Sequence, residues 1–174
     1  MLLNEYGILT SVRELKSVYI ETTIPSFAVG RPSRDTIIAG RQAATMLFWE
    51  NERHRYDLYV SQYVIEECSN GDADAAGRRL EFIRDIPVIP KSEEITALAG
   101  VYQKLLGIPD RAKIDCFHLA VCVAAEIDYL LSWNCAHLGI QTFVRIREYN
   151  EKHGLFTPLL LTPEALIEID EPEE

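Results

Sequence analysis

The chain has 174 residues, 48% of them hydrophobic and 25% charged, a composition typical of one globular domain with a sizeable core. Its formal net charge of −10 means that the surface as a whole repels nucleic acid, which excludes the class of generally basic nucleic-acid-binding proteins. Any nucleic-acid function must therefore rest on a local basic patch, on metal ions or on a partner protein.

The sequence also predicts a cytoplasmic, soluble protein. No basic segment followed by a long apolar one opens the chain, and no apolar run reaches the length of a membrane span. The cysteines lie in apolar or helical surroundings without the spacing of a disulfide framework, which predicts reduced thiols, although their even number leaves a bridge open. They are Cys68, Cys116, Cys122 and Cys135.

The first elements in chain order are a strand and a long helix. Residues Met1 to Leu15 carry no clear pattern and are open to two interpretations, a loose extension or a partner-binding segment. Val18–Ile20 predicts a short strand that ends at Glu21. Asp35 is placed to cap a helix from about Thr36 to Arg53.

Two more strand-and-helix units follow. The second strand, Leu58–Val60, leads into Ser61, a predicted N-cap, and into a helix that carries Glu66 and Glu67 and stops at Gly71. The next elements are a helix from Ala73 to Arg84, a proline-bracketed strand at Val88–Ile89, and a helix from Ser92 through Leu106 that Gly107 ends.

The stretch from Pro109 to His137 organises the rest of the chain. From Ile114 to Ala125 nearly every residue is apolar or small, which predicts a helix covered on most sides, with Asp110 as its N-cap. Tyr129–Leu131 is typical of a strand buried in a parallel sheet. Ser132–Asn134 follows the carboxyl end of that strand, where ligands bind in open α/β sheets.

The alternation of strands and helices predicts the fold class. The last elements are a helix from about Gln141 to His153, a strand at Leu159–Leu161, and a helical turn that Thr162 and Pro163 open, before an acidic tail, Asp170 to Glu174, that is predicted to be disordered. We predict an α/β fold, a three-layer α/β/α sandwich with a central, mainly parallel sheet. It is predicted to be a single domain over residues 1–174, with its core at about 18–161.

Acid and amide side chains gather at one edge of this predicted sheet. Glu21, Glu67 and Asn134 each follow a different strand, and Asp115 lies where the central helix begins. Confined carboxylates repel one another unless a cation neutralises them, and oxygen ligands suit Mg²⁺ or Mn²⁺. Each acid alone has a structural explanation, such as the helix macrodipole for Asp115, but the order and context of all four favour a site.

The ordered motifs resemble those of the PIN-domain family. They read V-Y-I-E-T-T-I-P-S, R-P-S-R-D, V-S-Q-Y-V-I-E-E-C, I-D-C-F-H-L-A and L-L-S-W-N, and the likeness covers about residues 18–161. More narrowly, the chain is similar to toxin ribonucleases of the VapC type, in a subgroup that reads E-T-T-I-P-S at the first motif.

This resemblance implies a set of site residues. The predicted catalytic and metal-binding residues are Glu21, Glu67, Asp115 and Asn134. Glu66 stays open as the alternative to Glu67. Thr22 and Ser132 stand beside the first and last of these positions and are predicted to contact the substrate.

The resemblance also implies an activity. The implied activity is that of a metal-dependent endoribonuclease. In this mechanism Mg²⁺ or Mn²⁺ activates a water for in-line attack on an RNA phosphodiester, which leaves 5′-phosphate and 3′-hydroxyl ends. The implied partners are an antitoxin protein and a second copy of the chain. Glu21 is one methylene longer than the usual aspartate and Asn134 removes a negative charge, which leaves a slow, altered or lost nuclease open. The alternative is a catalytically weak or inactive PIN-like protein that binds protein or RNA.

Basic side chains near this edge are candidates to hold RNA phosphates, an interaction that weakens with salt. The candidates are Arg31, Arg34, Arg41, Arg111 and Lys113, and we predict this role for Arg31, Arg34 and Lys113. For Arg34 and Arg41 an ordinary charge on a helix surface is the alternative interpretation, and for Arg41 it is the favoured one.

Two C-x-H runs, Cys116 with His118 and Cys135 with His137, do not predict zinc. Residues two apart on a helix point to different sides, and structural zinc ligands are usually spaced further apart. His118, one turn beyond Asp115, is interpreted as a hydrogen-bonded core histidine. The alternative that it contacts a residue of the site, without binding the cation itself, is left open.

Overall fold

The structure is a computed structural model that describes residues 2–3, 9–10, 15–110, 113–134 and 140–168. Side chains are described for residues 15–110, 113–134 and 143–167. The predictions for Arg111, for Cys135 with His137 and for the acidic tail lie outside these residues.

A parallel sheet forms the middle of the fold. The strands of the described chain are β1 (Leu2–Leu3), β2 (Leu9–Thr10), β3 (Lys16–Ile20), β4 (Tyr56–Ser61), β5 (Val88–Ile89), β6 (Tyr129–Leu131) and β7 (Leu159–Leu161). The first two pair antiparallel in a small separate sheet, within a stretch whose sequence shows no clear pattern. The other five are all parallel in the order β5-β4-β3-β6-β7, so β3 is central, between β4 and β6.

Helices connect these strands. They are α1 (Thr23–Ala28), α2 (Thr36–Leu47), α3 (Gln62–Cys68), α4 (Ala73–Ile83), α5 (Glu93–Leu106), α6 (Ile114–Ala124), α7 (Ile140–His153) and α8 (Pro163–Glu168). The predicted α/β/α sandwich with a parallel central sheet is confirmed. No helix in the described ranges is both long enough and apolar enough to cross a membrane.

Side-chain caps explain where several helices begin. Asp35, Ser61 and Ser92 each accept backbone N–H groups of the first turn of α2, α3 and α5, as the sequence predicts. Gly107 ends α5 with φ at 63°, in the left-handed region that favours glycine.

The predicted cap of the central helix is wrong. Helix α6 begins at Ile114 after Lys113, and no side chain caps it. Asp110 instead accepts a hydrogen bond from Gln103 Nε2 at 2.7 Å, and its backbone carbonyl accepts the N–H of Lys113 at 3.4 Å, so its side chain is used outside α6. The short helix α1, directly after Glu21, is absent from the sequence prediction.

The central helix is buried as predicted. Helix α6 packs against α3, α5 and β6, and residues 118–123 are all buried. Cys68, Cys116 and Cys122 are free and buried, which agrees with the prediction of reduced thiols for the cysteines that the structure describes. Burial raises the pKa of Cys68 and of Cys116 to about 11, so both thiols stay protonated at neutral pH.

Asp128 joins the starts of two neighbouring strands. Its Oδ2 accepts the backbone N–H and the hydroxyl of Ser17 at 2.9 and 2.8 Å, and its Oδ1 accepts Lys16 Nζ at 2.8 Å. Burial alone would raise the pKa of Asp128, but these bonds from Lys16 and Ser17 hold the pKa below its usual value. The carboxylate therefore stabilises the pairing of β3 with β6 only while it is ionised.

We expect Asp128→Asn to lower the free energy of unfolding at pH 7 by about 1–3 kcal/mol, the usual range for hydrogen bonds to a charged group. Because the pKa is depressed in the folded state, this stabilisation is complete above the unfolded-state pKa, near 3.8, and is lost as the pH falls below it. Urea unfolding at pH 7 and at pH 3 measures the difference between variant and wild type, which should shrink at the lower pH. Asp57→Asn, at an exposed acid on β4, is the control and should change stability little.

Candidate metal centre

The carboxyl ends of β3, β4 and β6 bring the predicted site residues to one edge of the sheet. Glu21 directly follows β3, Ser61 ends β4 and begins the helix that carries Glu67, and Ser132 directly follows β6. Because β3 lies between β4 and β6, these three strand ends are neighbours. The parallel order of the sheet therefore places residues that are distant in sequence around one point.

Glu21 is buried and firmly oriented, with only 7% of its surface exposed. Its Oε2 accepts the backbone N–H and the hydroxyl of Thr23 at 3.0 and 2.5 Å. The hydroxyl of Ser132 donates to the same oxygen at 2.8 Å. The other carboxylate oxygen, Oε1, lies 3.9 Å from Nε2 of His118. One oxygen of Glu21 is thus anchored, while the other faces His118.

Glu67, rather than its neighbour Glu66, turns towards Glu21. The Oε2 of Glu67 accepts the hydroxyl of Thr22 at 2.7 Å and lies 2.8 Å from His118 Nε2. Burial would raise the pKa of Glu67, but the bond and charge of His118 and the hydroxyl of Thr22 lower it. Glu66 is exposed and forms an ion pair with Lys91 at 2.6 Å. The geometry thus separates the two glutamates that the sequence left as alternatives.

His118 lies between the two glutamates and is 1% exposed. Its Nδ1 lies 2.8 Å from the hydroxyl of Tyr19, which lies 2.6 Å from Oγ of Ser61. Burial would lower the pKa of His118, but the hydrogen bond to Glu67 and the charges of Glu21 and Glu67 raise it. The interpretation of His118 as a hydrogen-bonded core histidine is confirmed. The sequence analysis did not place it among the metal-binding residues.

Glu21, Glu67 and His118 form a group that fits a divalent cation. One ligand atom of each lies within 4.8 Å of the other two. Two ligands that bind one Mg²⁺ at about 2.1 Å each lie up to about 4.2 Å apart, so small movements suffice. The donor set is two carboxylates and one imidazole, which suits Mn²⁺ as well as Mg²⁺. In the arrangement described, Nε2–H of His118 donates to Glu67, so a cation would bind Nε2 only after displacing this proton, with Nδ1–H then donating to the hydroxyl of Tyr19.

Asp115 is not a member of this group of three, but its charge acts on His118, and Asn134 is hydrogen-bonded to Asp115. Asn134 Nδ2 donates to Oδ1 of Asp115 at 2.9 Å, and the backbone N–H of Asn134 donates to Ser132 Oγ at 2.9 Å. Because Ser132 also donates to Glu21, this segment links Asp115 to the first acid. Asp115 is 5% exposed and belongs to the same polar edge. Its role and that of Asn134 as metal ligands stay predictions.

The predicted substrate contacts divide into two groups. The hydroxyls of Thr22 and Ser132 each donate to a carboxylate, so in this arrangement they orient Glu67 and Glu21. Arg31 and Arg34, in the connection between α1 and α2, and Lys113, just before α6, are exposed. Contact of these five residues with a substrate stays a prediction.

Comparison with known proteins supports the fold. No protein-family model and no curated protein matches the sequence. A chain in the crystal structure of VapBC2 from Rickettsia felis bound to a DNA fragment from their promoter is 14% identical, with a TM-score of 0.50 over 84% of this chain and 98% of that one. A likeness at this identity shows the fold alone, a PIN-like α/β/α sandwich.

Proposed function

We propose that this protein is a divalent-cation-dependent endoribonuclease and the toxin of a type II toxin–antitoxin pair. The observation that carries the proposal is the group formed by Glu21, Glu67 and His118 at the carboxyl edge of a PIN-like sheet. The ordered motifs that resemble VapC-type toxins and the structural likeness to VapBC2 from Rickettsia felis support the same assignment. An antitoxin protein and a second copy of the chain are the proposed partners.

In this proposal each residue of the site has a role. Glu21, Glu67 and His118 would hold the cation, and Asp115 and Asn134 would lie beside it. When bound, Mg²⁺ or Mn²⁺ polarises a phosphoryl oxygen and lowers the pKa of a water molecule. Thr23 and Ser132 keep the Glu21 carboxylate in place through hydrogen bonds to Oε2, and Thr22 does the same for Glu67. These bonds pre-organise the site, so little rearrangement is needed when the substrate binds.

A second candidate function has one observation in its favour. Asn134 donates a hydrogen bond to Asp115 where the family resemblance implies an aspartate, so the site carries one negative charge fewer. A weaker cation site would suit a PIN-like protein that binds protein or RNA and cleaves slowly or not at all. Measured turnover distinguishes this module from the ribonuclease.

The test is RNA cleavage by the purified full-length chain. We expect cleavage of single-stranded RNA with Mg²⁺ or Mn²⁺, none with EDTA, and 5′-phosphate and 3′-hydroxyl product ends. Calorimetric titration should show tighter binding of Mn²⁺ than of Mg²⁺, since an imidazole ligand favours the transition metal. Cleavage that persists in EDTA, or products with 2′,3′-cyclic phosphates, would contradict the metal-dependent mechanism. Cation binding without any cleavage would favour the binding module.

A further inference from the structure

The segment that follows Glu21 is the basic part of an acidic protein. Residues 22–49 contain Arg31, Arg34 and Arg41 but a single acid, Asp35, in a chain with a formal net charge of −10. The carboxylate of Asp35 accepts the backbone N–H groups of Ile37 and Ile38, so it caps α2. This segment therefore carries a local excess of positive charge, one of the features on which nucleic-acid binding by such an acidic chain can rest.

Within this segment, Arg41 lies against two aromatic rings. Its guanidinium carbon lies 5.4 Å from the ring centre of Trp133 and 5.9 Å from that of Phe27. The Trp133 ring is oriented by its Nε1–H, which donates to Thr45 Oγ1 at 2.8 Å. Thr45 in turn donates to the backbone carbonyl of Arg41 at 2.7 Å. Arg41 is half-buried and is not the freely exposed helix-surface charge that its sequence position suggests.

Arg41 contacts aromatic rings, whereas five other basic side chains pair with acids. Several cations pair with nearby acids: Lys16 with Asp128, Arg55 with Glu52, Arg84 with Glu81, Lys91 with Glu66 and Arg147 with Glu151. Within the described ranges, Arg41 forms no ion pair with a carboxylate. A cation–π contact with the rings does not use the N–H groups of the guanidinium, which can still bind an anion.

Two hydrogen bonds join the rings around Arg41 to the candidate metal centre. The backbone N–H of Trp133 donates to Thr23 Oγ1 at 2.9 Å, and that hydroxyl donates to Glu21. The residues on either side of Trp133, Ser132 and Asn134, bond to Glu21 and Asp115. The position of Arg41 is therefore coupled to that of the acids through a few short contacts.

We propose that Arg41 binds a backbone phosphate of the RNA next to the one that is cleaved. This inference rests on the proposed ribonuclease function and adds to it a substrate-binding residue and a direction for the bound strand, along α1 and α2. A guanidinium offers two parallel N–H groups to a phosphate, and its position on the rings reduces the side-chain entropy lost on binding. Arg41 acts on RNA binding and takes no part in the bond-breaking step.

The test measures binding of a fluorescein-labelled single-stranded RNA, with Mn²⁺ present, to Glu21→Gln protein, whose slow cleavage (about 10²–10³-fold below the wild type) keeps the RNA intact during the measurement. Adding Arg41→Gln should weaken binding about fivefold near 0.1 M salt and lower the slope of log affinity against log salt by about 0.7, the value for one lost phosphate contact on a single strand. Arg41→Lys should restore the slope but only part of the affinity, because a lysine keeps the charge without the planar fork.

Arg53→Gln is the matched control, because Arg53 lies over Trp49 at 4.7 Å in a similar arrangement but beside β4, away from the acids. It should change neither affinity nor slope. If the slope of log affinity against log salt is the same for Arg41→Gln as for the control, the inference is overturned. A fall in affinity without a change of slope would mean that the Arg41 side chain acts through packing. Cation-dependent cleavage by the wild type would in that case still support the proposed function. Absence of both RNA binding and cleavage in the wild type rejects the function and this inference together.

Discussion

Glu21→Gln and Glu67→Gln should each reduce the rate of RNA cleavage by about 10²–10³-fold, the range for loss of one pre-organised electrostatic group. Both substitutions keep the size of the side chain and an acceptor oxygen for the neighbouring hydroxyls. They replace a negative oxygen of the candidate metal centre with an amide and so remove a charge that the cation needs. Single-turnover cleavage at saturating Mn²⁺ measures the effect, and Mn²⁺ calorimetry should show weaker binding in both variants.

Helix α3 provides a matched control for this experiment. Glu66→Gln makes the same chemical change one residue away, at an exposed side chain that pairs with Lys91. Surface ion pairs contribute about 0–1 kcal/mol, so this variant should fold and cleave like the wild type. If Glu66→Gln loses as much activity as Glu67→Gln, or if Glu21→Gln cleaves at the wild-type rate, this group of residues is not the catalytic centre.

The positions of the acids could be predicted because strand order and chain direction follow from short patterns. Apolar runs of three residues predict the strands that contain Val18, Leu58 and Leu130, and parallel pairing brings their carboxyl ends to one edge. The cap at Ser61 gives the start of α3 and hence the position of Glu67 on it. These are local signals, and each was readable without knowledge of the packing.

The contacts of His118 and Arg41 could not be read in the same way. Both depend on how one helix is rotated against another element: α6 against β3 and α3, and α2 against α1 and the end of β6. The D-x-x-H spacing of Asp115 and His118 is a weak signal, because residues three apart share a helix face in any helix. The ring of Trp133 lies under Arg41 because two segments far apart in sequence pack together.

The motif resemblance implies an aspartate where this chain has Glu21, and the contacts of Glu21 show how the longer side chain is accommodated. The carboxylate folds back over the start of α1 and accepts the N–H and hydroxyl of Thr23. One oxygen is thereby used inside the protein, and Oε1 remains directed towards His118. His118 therefore lies where the longer side chain of Glu21 can share a cation with it. The glutamate at position 21 and the histidine at position 118 are thus related differences from the site that the motif resemblance implies.

Asn134→Asp should have opposite effects on the protein without and with a cation. The amide of Asn134 donates to Oδ1 of Asp115 at 2.9 Å, so an aspartate would replace this bond with two like charges in contact. Without a cation we expect the free energy of unfolding to fall by about 1–3 kcal/mol, the cost of losing a hydrogen bond to a charged group. With the fourth carboxylate in place, we expect the affinity for Mn²⁺ and Mg²⁺ to rise about tenfold, since the number of ligand charges tunes cation affinity.

Asn134→Ala separates the two contributions, because it removes the same hydrogen bond without adding a charge. It should lower the melting temperature in EDTA, as Asn134→Asp does, but saturating Mn²⁺ should restore the melting temperature fully only in the aspartate variant. Thermal melts in EDTA and across a Mn²⁺ titration, with calorimetry for the affinity, measure both effects. An aspartate variant that binds Mn²⁺ no more tightly than the wild type would show that position 134 does not face the cation. The difference in charge between asparagine and aspartate at this position would then not act through cation affinity.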